Sequence, residues 1–306
     1  MHDEHEWSPN LYVTQERLRA RLRLLTDDGY AILPLTDALT RLYAGTLPSR
    51  SVAITFDDGY TDFVHCALPV LREFSCPVTL YLTTFYARAR LPVFFPMLDY
   101  VLWQGRRSTV ASPRIEDVAQ PILARTAAER QRTWEVLCAS ARDRNLNAVA
   151  KDALIGRVAT ALGVDYGSIR ARGTLQIMPP EMIRDLPHDL VDVQLHTHRH
   201  RMPTDRESFL REIGDNASVI RELRGEDVVL NHFCYPSGEY RREAFALLTA
   251  SGVSFATTCE PALATRRSHH LLIPRFVDSM SQSAEVFESW ASGFSAWLPR
   301  RVWRGG

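Results

Sequence analysis

No apolar run in the chain approaches the ~20 residues a membrane helix requires. The amino terminus, Met1-His2-Asp3-Glu4-His5-Glu6-Trp7, lacks the basic start and apolar stretch of a secretory signal. These absences set the expectation of a chain with no transmembrane segment that stays in the cytoplasm. Net charge is lacking too: Lys+Arg and Asp+Glu both number 36. No global field therefore draws in nucleic acid or a membrane surface, and such a partner would need a local patch. The five cysteines, Cys66, Cys76, Cys138, Cys234 and Cys259, contain no C-x-x-C pair and are odd in number, which reads as reduced, mostly buried thiols rather than a disulfide or metal framework. Internal repeats and low-complexity segments are missing as well. What remains is an ordinary globular composition, 45% apolar and 24% charged over 306 residues, enough for one large α/β domain or a domain with an insertion.

Strand and helix signals alternate through the first part of the chain. Thr14 opens a helix in which Leu18, Leu22 and Leu25 recur at spacings of four and three, and Asp27-Asp28-Gly29 closes it. A strand over 30–34 follows, then a helix capped by Thr36, carrying Leu39 and Leu42 and ended at Gly45. The spacing next predicts a strand reaching Asp57, a helix over 61–74 and a strand over 78–82. From about 94 to 173 the sequence is mainly helical, with no Gly/Ser/Pro linker at either end, and reads as a helical insertion in a single domain spanning 1–306. The rhythm resumes with a strand over 190–195, a long amphipathic helix with Phe209, Ile213, Ala217 and Ile220 on one face, a strand over 228–235, a helix over 243–250 and a strand over 253–257. Such alternation argues for a parallel sheet or barrel.

Two stretches at strand ends carry chemistry. Thr55-Phe56-Asp57-Asp58-Gly59 places two adjacent carboxylates where a strand stops; they repel unless a cation or proton separates them. Gln194-Leu195-His196-Thr197-His198-Arg199-His200 also begins where a strand ends. If it forms a helical turn, His196 and His200 share a face and His198 looks roughly the other way. Two imidazoles plus a carboxylate from Asp57 or Asp58 make a metal site with positions open to water and substrate. Both stretches sit at the carboxyl ends of predicted parallel strands, where α/β folds place their sites.

These two stretches, followed by Phe233-Cys234-Tyr235-Pro236-Ser237-Gly238, resemble in type and order the first three motifs of the polysaccharide deacetylases, the NodB-like carbohydrate esterase family. The stretch from Arg17 through Leu47 resembles the helical lead-in of many members, and Leu272-Ile273-Pro274-Arg275-Phe276 a late strand motif of a subset. The resemblance implies a distorted (β/α) barrel and a metal-dependent deacetylase acting on an acetylated sugar, polysaccharide or glycoconjugate, on N-acetyl in preference to O-acetyl groups. It assigns Asp57 as general base, Asp58, His196 and His200 as ligands of a divalent metal, and the backbone N–H of Ser237 as an oxyanion donor. Zinc suits mixed His/carboxylate ligation best, with cobalt, nickel or iron compatible.

The chain departs from the family pattern at two places. The arginine that many members carry at the start of the third motif is missing from Asn231-His232-Phe233-Cys234, and Arg275 is the candidate to orient the base instead. Nor does Leu272-Ile273-Pro274-Arg275 supply the late Leu-x-x-His acid; His269 and His270 precede it in a polar turn. Trp103 and Trp134 read as core residues. The carboxyl-terminal arm, with Trp290, Trp297, Trp303, Arg300, Arg301 and Arg304, reads as a segment packed on the barrel by its aromatics. Three rival readings stand beside the deacetylase: an amide hydrolase of a small cytosolic molecule on the same scaffold, a non-catalytic glycan-binding relative, and a two-His, one-carboxylate iron oxygenase. Intact Asp57, Asp58, His196 and His200 argue against the second, and the lack of a His-x-Asp pair at His196 against the third.

Overall fold

The computed structural model describes residues 3–110, 113–116 and 118–296; Trp297, Arg300, Arg301, Trp303 and Arg304 of the carboxyl-terminal arm lie outside the described residues. Among the described residues seven strands follow in chain order: β1 (Ala31–Ile32), β2 (Ser51–Val52), β3 (Ile54–Phe56), β4 (Val78–Leu82), β5 (Val191–Leu195), β6 (His232–Cys234) and β7 (Phe255–Thr257). β1 pairs with β2, and β3-β4-β5-β6-β7 form one parallel sheet in that order, curled as a half-barrel. This is the α/β, distorted-barrel class expected from the sequence. The helices are α1 (Glu4–Trp7), α2 (Gln15–Asp27), α3 (Leu35–Ala44), α4 (Leu68–Glu73), α5 (Phe85–Ala89), α6 (Phe94–Gln104), α7 (Ala127–Asp143), α8 (Ala148–Leu162), α9 (Tyr166–Ala171), α10 (Pro180–Arg184), α11 (Arg206–Arg224), α12 (Phe245–Ala250) and α13 (Ala284–Ala291). Among the described residues no helix is long and apolar enough to cross a membrane.

Local chemistry explains most boundaries. The Thr14 hydroxyl accepts from Arg17 N–H at the start of α2, and Gly45 ends α3 in the left-handed region that favours glycine. Thr36 does not cap α3, which starts one residue before it; its hydroxyl bonds instead with His232 Nε2 at 2.9 Å. The single strand expected over 51–57 is divided at Ala53, since Ser51–Val52 runs along β1 while Ile54–Phe56 runs along β4. The strand expected over 228–235 shortens to β6 because the β5–β6 ladder holds only the pair Leu195↔Phe233. There the Gln194 side chain stands in for ladder bonds, accepting from His232 N–H at 2.9 Å and donating to Val229 O at 2.8 Å.

β4 is buried along its whole length, as a central parallel strand must be. Leu80 and Leu82 face the main core with Leu22, Val70, Leu71, Ile220 and Phe233, whereas Tyr81 turns to the opposite face, where it meets Leu35, Leu39, Cys234 and Ile273. Each such apolar side chain contributes roughly 1.5–3 kcal/mol on burial. Helices α6 to α9 gather a core of their own around Met97, Leu98, Val101, Leu137, Leu154 and Val158. α11 lays Phe209, Ile213 and Ile220 on the sheet, and the same helix buries two polar side chains, Glu212 and Asn216.

Candidate metal centre and its acid pair

β3 delivers Asp57 and Asp58 at its carboxyl end, and the following turn bends sharply. Asp58 has φ +68° and Gly59 φ +86°. A Cβ on Gly59 would stand 2.4 Å from Leu82 Cδ1, so the close approach to β4 needs glycine as well. The turn is pinned on both sides: Thr83 N–H donates to Asp58 O at 3.2 Å and Met178 N–H to Gly59 O at 2.8 Å.

Two histidines from the end of β5 converge on Asp58. Its Oδ1 lies 3.2 Å from His196 Nε2 and 3.2 Å from His200 Nε2. The geometry differs from the helical turn expected from their spacing: 196–200 is an irregular loop with left-handed residues at Thr197 (φ +63°) and His200 (φ +52°), and it is this reversal that folds His200 back over His196. His198 does look away from the pair. Its Nδ1 bonds with Thr84 Oγ1 at 2.8 Å and its ring packs edge-on against Phe85.

The donor set fits a cation. His196 Nδ1 lies 2.8 Å from the Cys234 carbonyl, which can only accept, so Nδ1 carries a proton and the ring is oriented with Nε2 toward Asp58. Asp58 Oδ1 is buried and has no hydrogen-bond partner. Burial by itself would push the Asp58 carboxyl up, but the neighbouring His196 and His200 outweigh it and hold it far below the usual carboxylate range. An ionised carboxylate oxygen and imidazole nitrogens, their ligating atoms all within 4.8 Å of one another, are the elements of a two-His, one-carboxylate site.

Asp57 has a different environment. Arg275 grips both its oxygens, Nη1 to Oδ1 at 2.7 Å and Nη2 to Oδ2 at 2.8 Å. The rest of the guanidinium is equally occupied: Nε donates to Thr258 O at 2.9 Å, Nη1 to Thr55 Oγ1 at 2.9 Å, and Nη2 to Cys234 Sγ at 3.0 Å. All five N–H groups thus have acceptors. Burial opposes the charge on Asp57, yet the charge and hydrogen bonds of Arg275 outweigh it and bring the carboxyl below its ordinary value. Asp57, His196 and Cys234 also offer ligand atoms within 4.8 Å of one another, but Arg275 already supplies the cation between Asp57 and Cys234.

Ser237 lies past the end of β6 in the short turn Pro236–Gly238, with φ +57°. A Cβ on the next residue, Gly238, would stand 3.0 Å from Cys259 Cβ. His269 and His270 are engaged elsewhere: His269 Nδ1 accepts from Leu271 N–H and its ring packs on Phe245, while His270 packs on Tyr43 and Phe255. Sequence reasoning passed over Cys234, whose carbonyl fixes His196 and whose thiol contacts Arg275. It also passed over Glu212 and Asn216, for which the one signal was a pair of polar residues beside Ile213 and Ala217 on the buried side of α11.

Residues 44–132 match the sequence model of the polysaccharide deacetylase family. YxkH of Bacillus subtilis (strain 168), whose name assigns it provisionally to the polysaccharide deacetylases, is 36% identical over 74 residues, 24% of this chain and 26% of that protein. The aligned stretch therefore spans about a quarter of the curated relative. Among solved structures, the Streptococcus pyogenes deacetylase PplD in complex with acetate superposes with a TM-score of 0.61 at 15% identity, covering 95% of this chain and 92% of that one. IcaB from Ammonifex degensii superposes with a TM-score of 0.53, also at 15% identity, over 92% and 90%. At such identities these two likenesses speak for the fold. Over residues 44–132 the chain thus matches the polysaccharide deacetylase family, and along nearly its whole length it shares the fold of these solved structures.

Proposed function

We propose that the protein is a metal-dependent deacetylase that hydrolyses an N-acetyl group, in preference to an O-acetyl group, on a sugar, polysaccharide or glycoconjugate, with a single domain over 1–306 whose helices over 94–173 form an insertion. The observation that carries this reading is the convergence of Asp58 Oδ1, His196 Nε2 and His200 Nε2 beside a second acid, Asp57, that is held separately by Arg275. Asp58, His196 and His200 would hold a divalent cation, zinc by the mixture of donors, which when bound supplies Lewis acidity and lowers the pKa of water. Asp57 is the general base: Arg275 keeps it ionised and fixes the carboxylate plane, so that it takes the proton from the attacking water. The Ser237 N–H stabilises negative charge developing on the acetyl oxygen. Division of labour explains the adjacent acids, since a carboxylate committed to a cation is a poor proton acceptor.

Acetate release from N-acetylated and O-acetylated saccharides, polymers and acetylated small molecules, measured with metal-restored protein, tests the proposal. Release from the N-acetylated saccharides is expected. Release confined to small amides would overturn the substrate class. Release undiminished in both Asp57→Asn and His200→Ala would overturn the site.

A further inference from the structure

Beyond Leu82↔Leu195 the β4–β5 ladder stops, and the chain from 196 to 201 continues without a strand partner. Three of its backbone N–H groups, those of His196, His198 and Arg199, are nevertheless bonded from one helix, while the His198 carbonyl accepts from Thr84 and Phe85 N–H. Asn216, fully buried on α11, accepts the His196 N–H on Oδ1 at 2.9 Å. The same side chain donates through Nδ2 to Leu82 O and to Thr84 Oγ1, both at 2.9 Å, so it ties the end of β4 to the first residue after β5. Thr84 Oγ1 in turn bonds with His198 Nδ1. One turn earlier on α11, buried Glu212 accepts from Arg199 N–H at 2.7 Å, Arg199 Nη1 at 3.1 Å and Arg201 Nε at 2.7 Å, while its own carbonyl accepts from His198 N–H at 3.1 Å. Residues four apart on a helix share a face, so α11 presents a two-rung polar ladder to the histidine loop.

That loop carries left-handed residues at Thr197 and His200, a strained conformation for non-glycine residues that persists only where its surroundings over-determine it. We propose that Asn216, supported by Glu212, is the positioning residue of the candidate metal centre: it replaces the missing strand partner, holds the His196–His200 loop against its strain and thereby aims both Nε2 atoms at Asp58. The inference rests on the metal reading above. It adds that the ligand geometry is set from α11, behind the sheet, by a residue that touches neither metal nor substrate.

The test titrates the metal-stripped protein with Co²⁺ and follows the visible d–d bands, alongside thermal melting of the metal-free form. Partners behind metal ligands typically govern affinity by 10–100-fold, so Asn216→Ala is expected to weaken Co²⁺ binding by roughly that factor and to alter the band pattern. Leu223→Ala, on the same helix but in the apolar core, is the structural control: it is expected to lower the melting temperature while Co²⁺ affinity and bands stay as in the parent. Thr84→Val removes one hydroxyl from the network and is expected to act in the same direction by about several-fold; it decides the matter if Asn216→Ala does not accumulate as folded protein. Parent-like affinity and bands in Asn216→Ala, or in Thr84→Val where that variant decides, would overturn the proposal, and so would an equal loss in Leu223→Ala. His200→Ala separates the two levels. If it binds Co²⁺ like the parent, the metal reading itself fails; if it loses Co²⁺ while Asn216→Ala does not, only the role of Asn216 fails.

Discussion

Replacing Arg275 with glutamine removes the cation that Asp57 depends on while keeping much of the side-chain volume. In the parent, the Asp57 side chain is 31% exposed and Arg275 13% exposed, and two hydrogen bonds of 2.7 and 2.8 Å join them. Breaking a fully buried pair costs about 3–5 kcal/mol. With about a third of Asp57 open to water, roughly 1–3 kcal/mol is the reasonable discount, a fall of a few degrees in melting temperature for a chain of this size. The larger effect falls on the proton. The Arg275 charge and hydrogen bonds lower the Asp57 pKa, whereas burial raises it. Arg275→Gln removes the main opposition to burial, and the acidic limb of the kcat/KM profile moves to higher pH. Loss of an oriented base also lowers the plateau by about 10²–10⁴. The stability sign follows from linkage: Asp57 has a depressed folded pKa, so the pair's contribution is fully present above the unfolded carboxylate value and is lost as pH falls through the folded one. The melting-temperature gap between parent and variant therefore narrows as pH drops below about 4. Acetate release across pH and melting curves across pH measure both. An acidic limb that stays in place, with near-parent turnover, would refute the reasoning that Arg275 holds the base.

Asp57→Asn is expected to keep metal affinity near the parent value while losing about 10²–10⁴ in turnover, read by Co²⁺ titration and acetate release. His200→Ala is expected to lose both, because it removes one of three ligands; retained stoichiometric metal would contradict its place in the set. A chelator followed by dialysis should abolish acetate release, and added Zn²⁺ or Co²⁺ should restore it. Gly59→Ala puts a methyl 2.4 Å from Leu82 Cδ1 at φ +86°, and a destabilisation of at least about 1–3 kcal/mol is expected from overpacking, checked by urea unfolding.

Much of the scaffold was legible because its causes are local. The Thr14 cap, the Gly45 stop, the apolar run of β4 and the face of α11 each follow from a few neighbouring residues. The strand ends after Phe56 and Leu195 were readable in the same way, and with them the two stretches that meet as a site. Shorter β6 and β7 were not, because a strand's length depends on how far its neighbour pairs with it, and Gln194 replaces the ladder there.

By itself the sequence determined which residue types stand at the strand ends: an acid pair, a histidine pair and the Pro236-Ser237-Gly238 turn. Only the tertiary structure decided how they are shared out. Arg275 reaches Asp57 across a separation of 218 residues, and Asn216 reaches Leu82 across 134, because the parallel strands bring their carboxyl ends to one side. The histidines meet through two left-handed residues rather than through a helical turn, a conformation that no short-range preference selects and that hydrogen bonds from α11 and β6 hold in place. Spacing along the chain is fixed by covalent geometry; which partner fills each polar group is fixed by the fold as a whole.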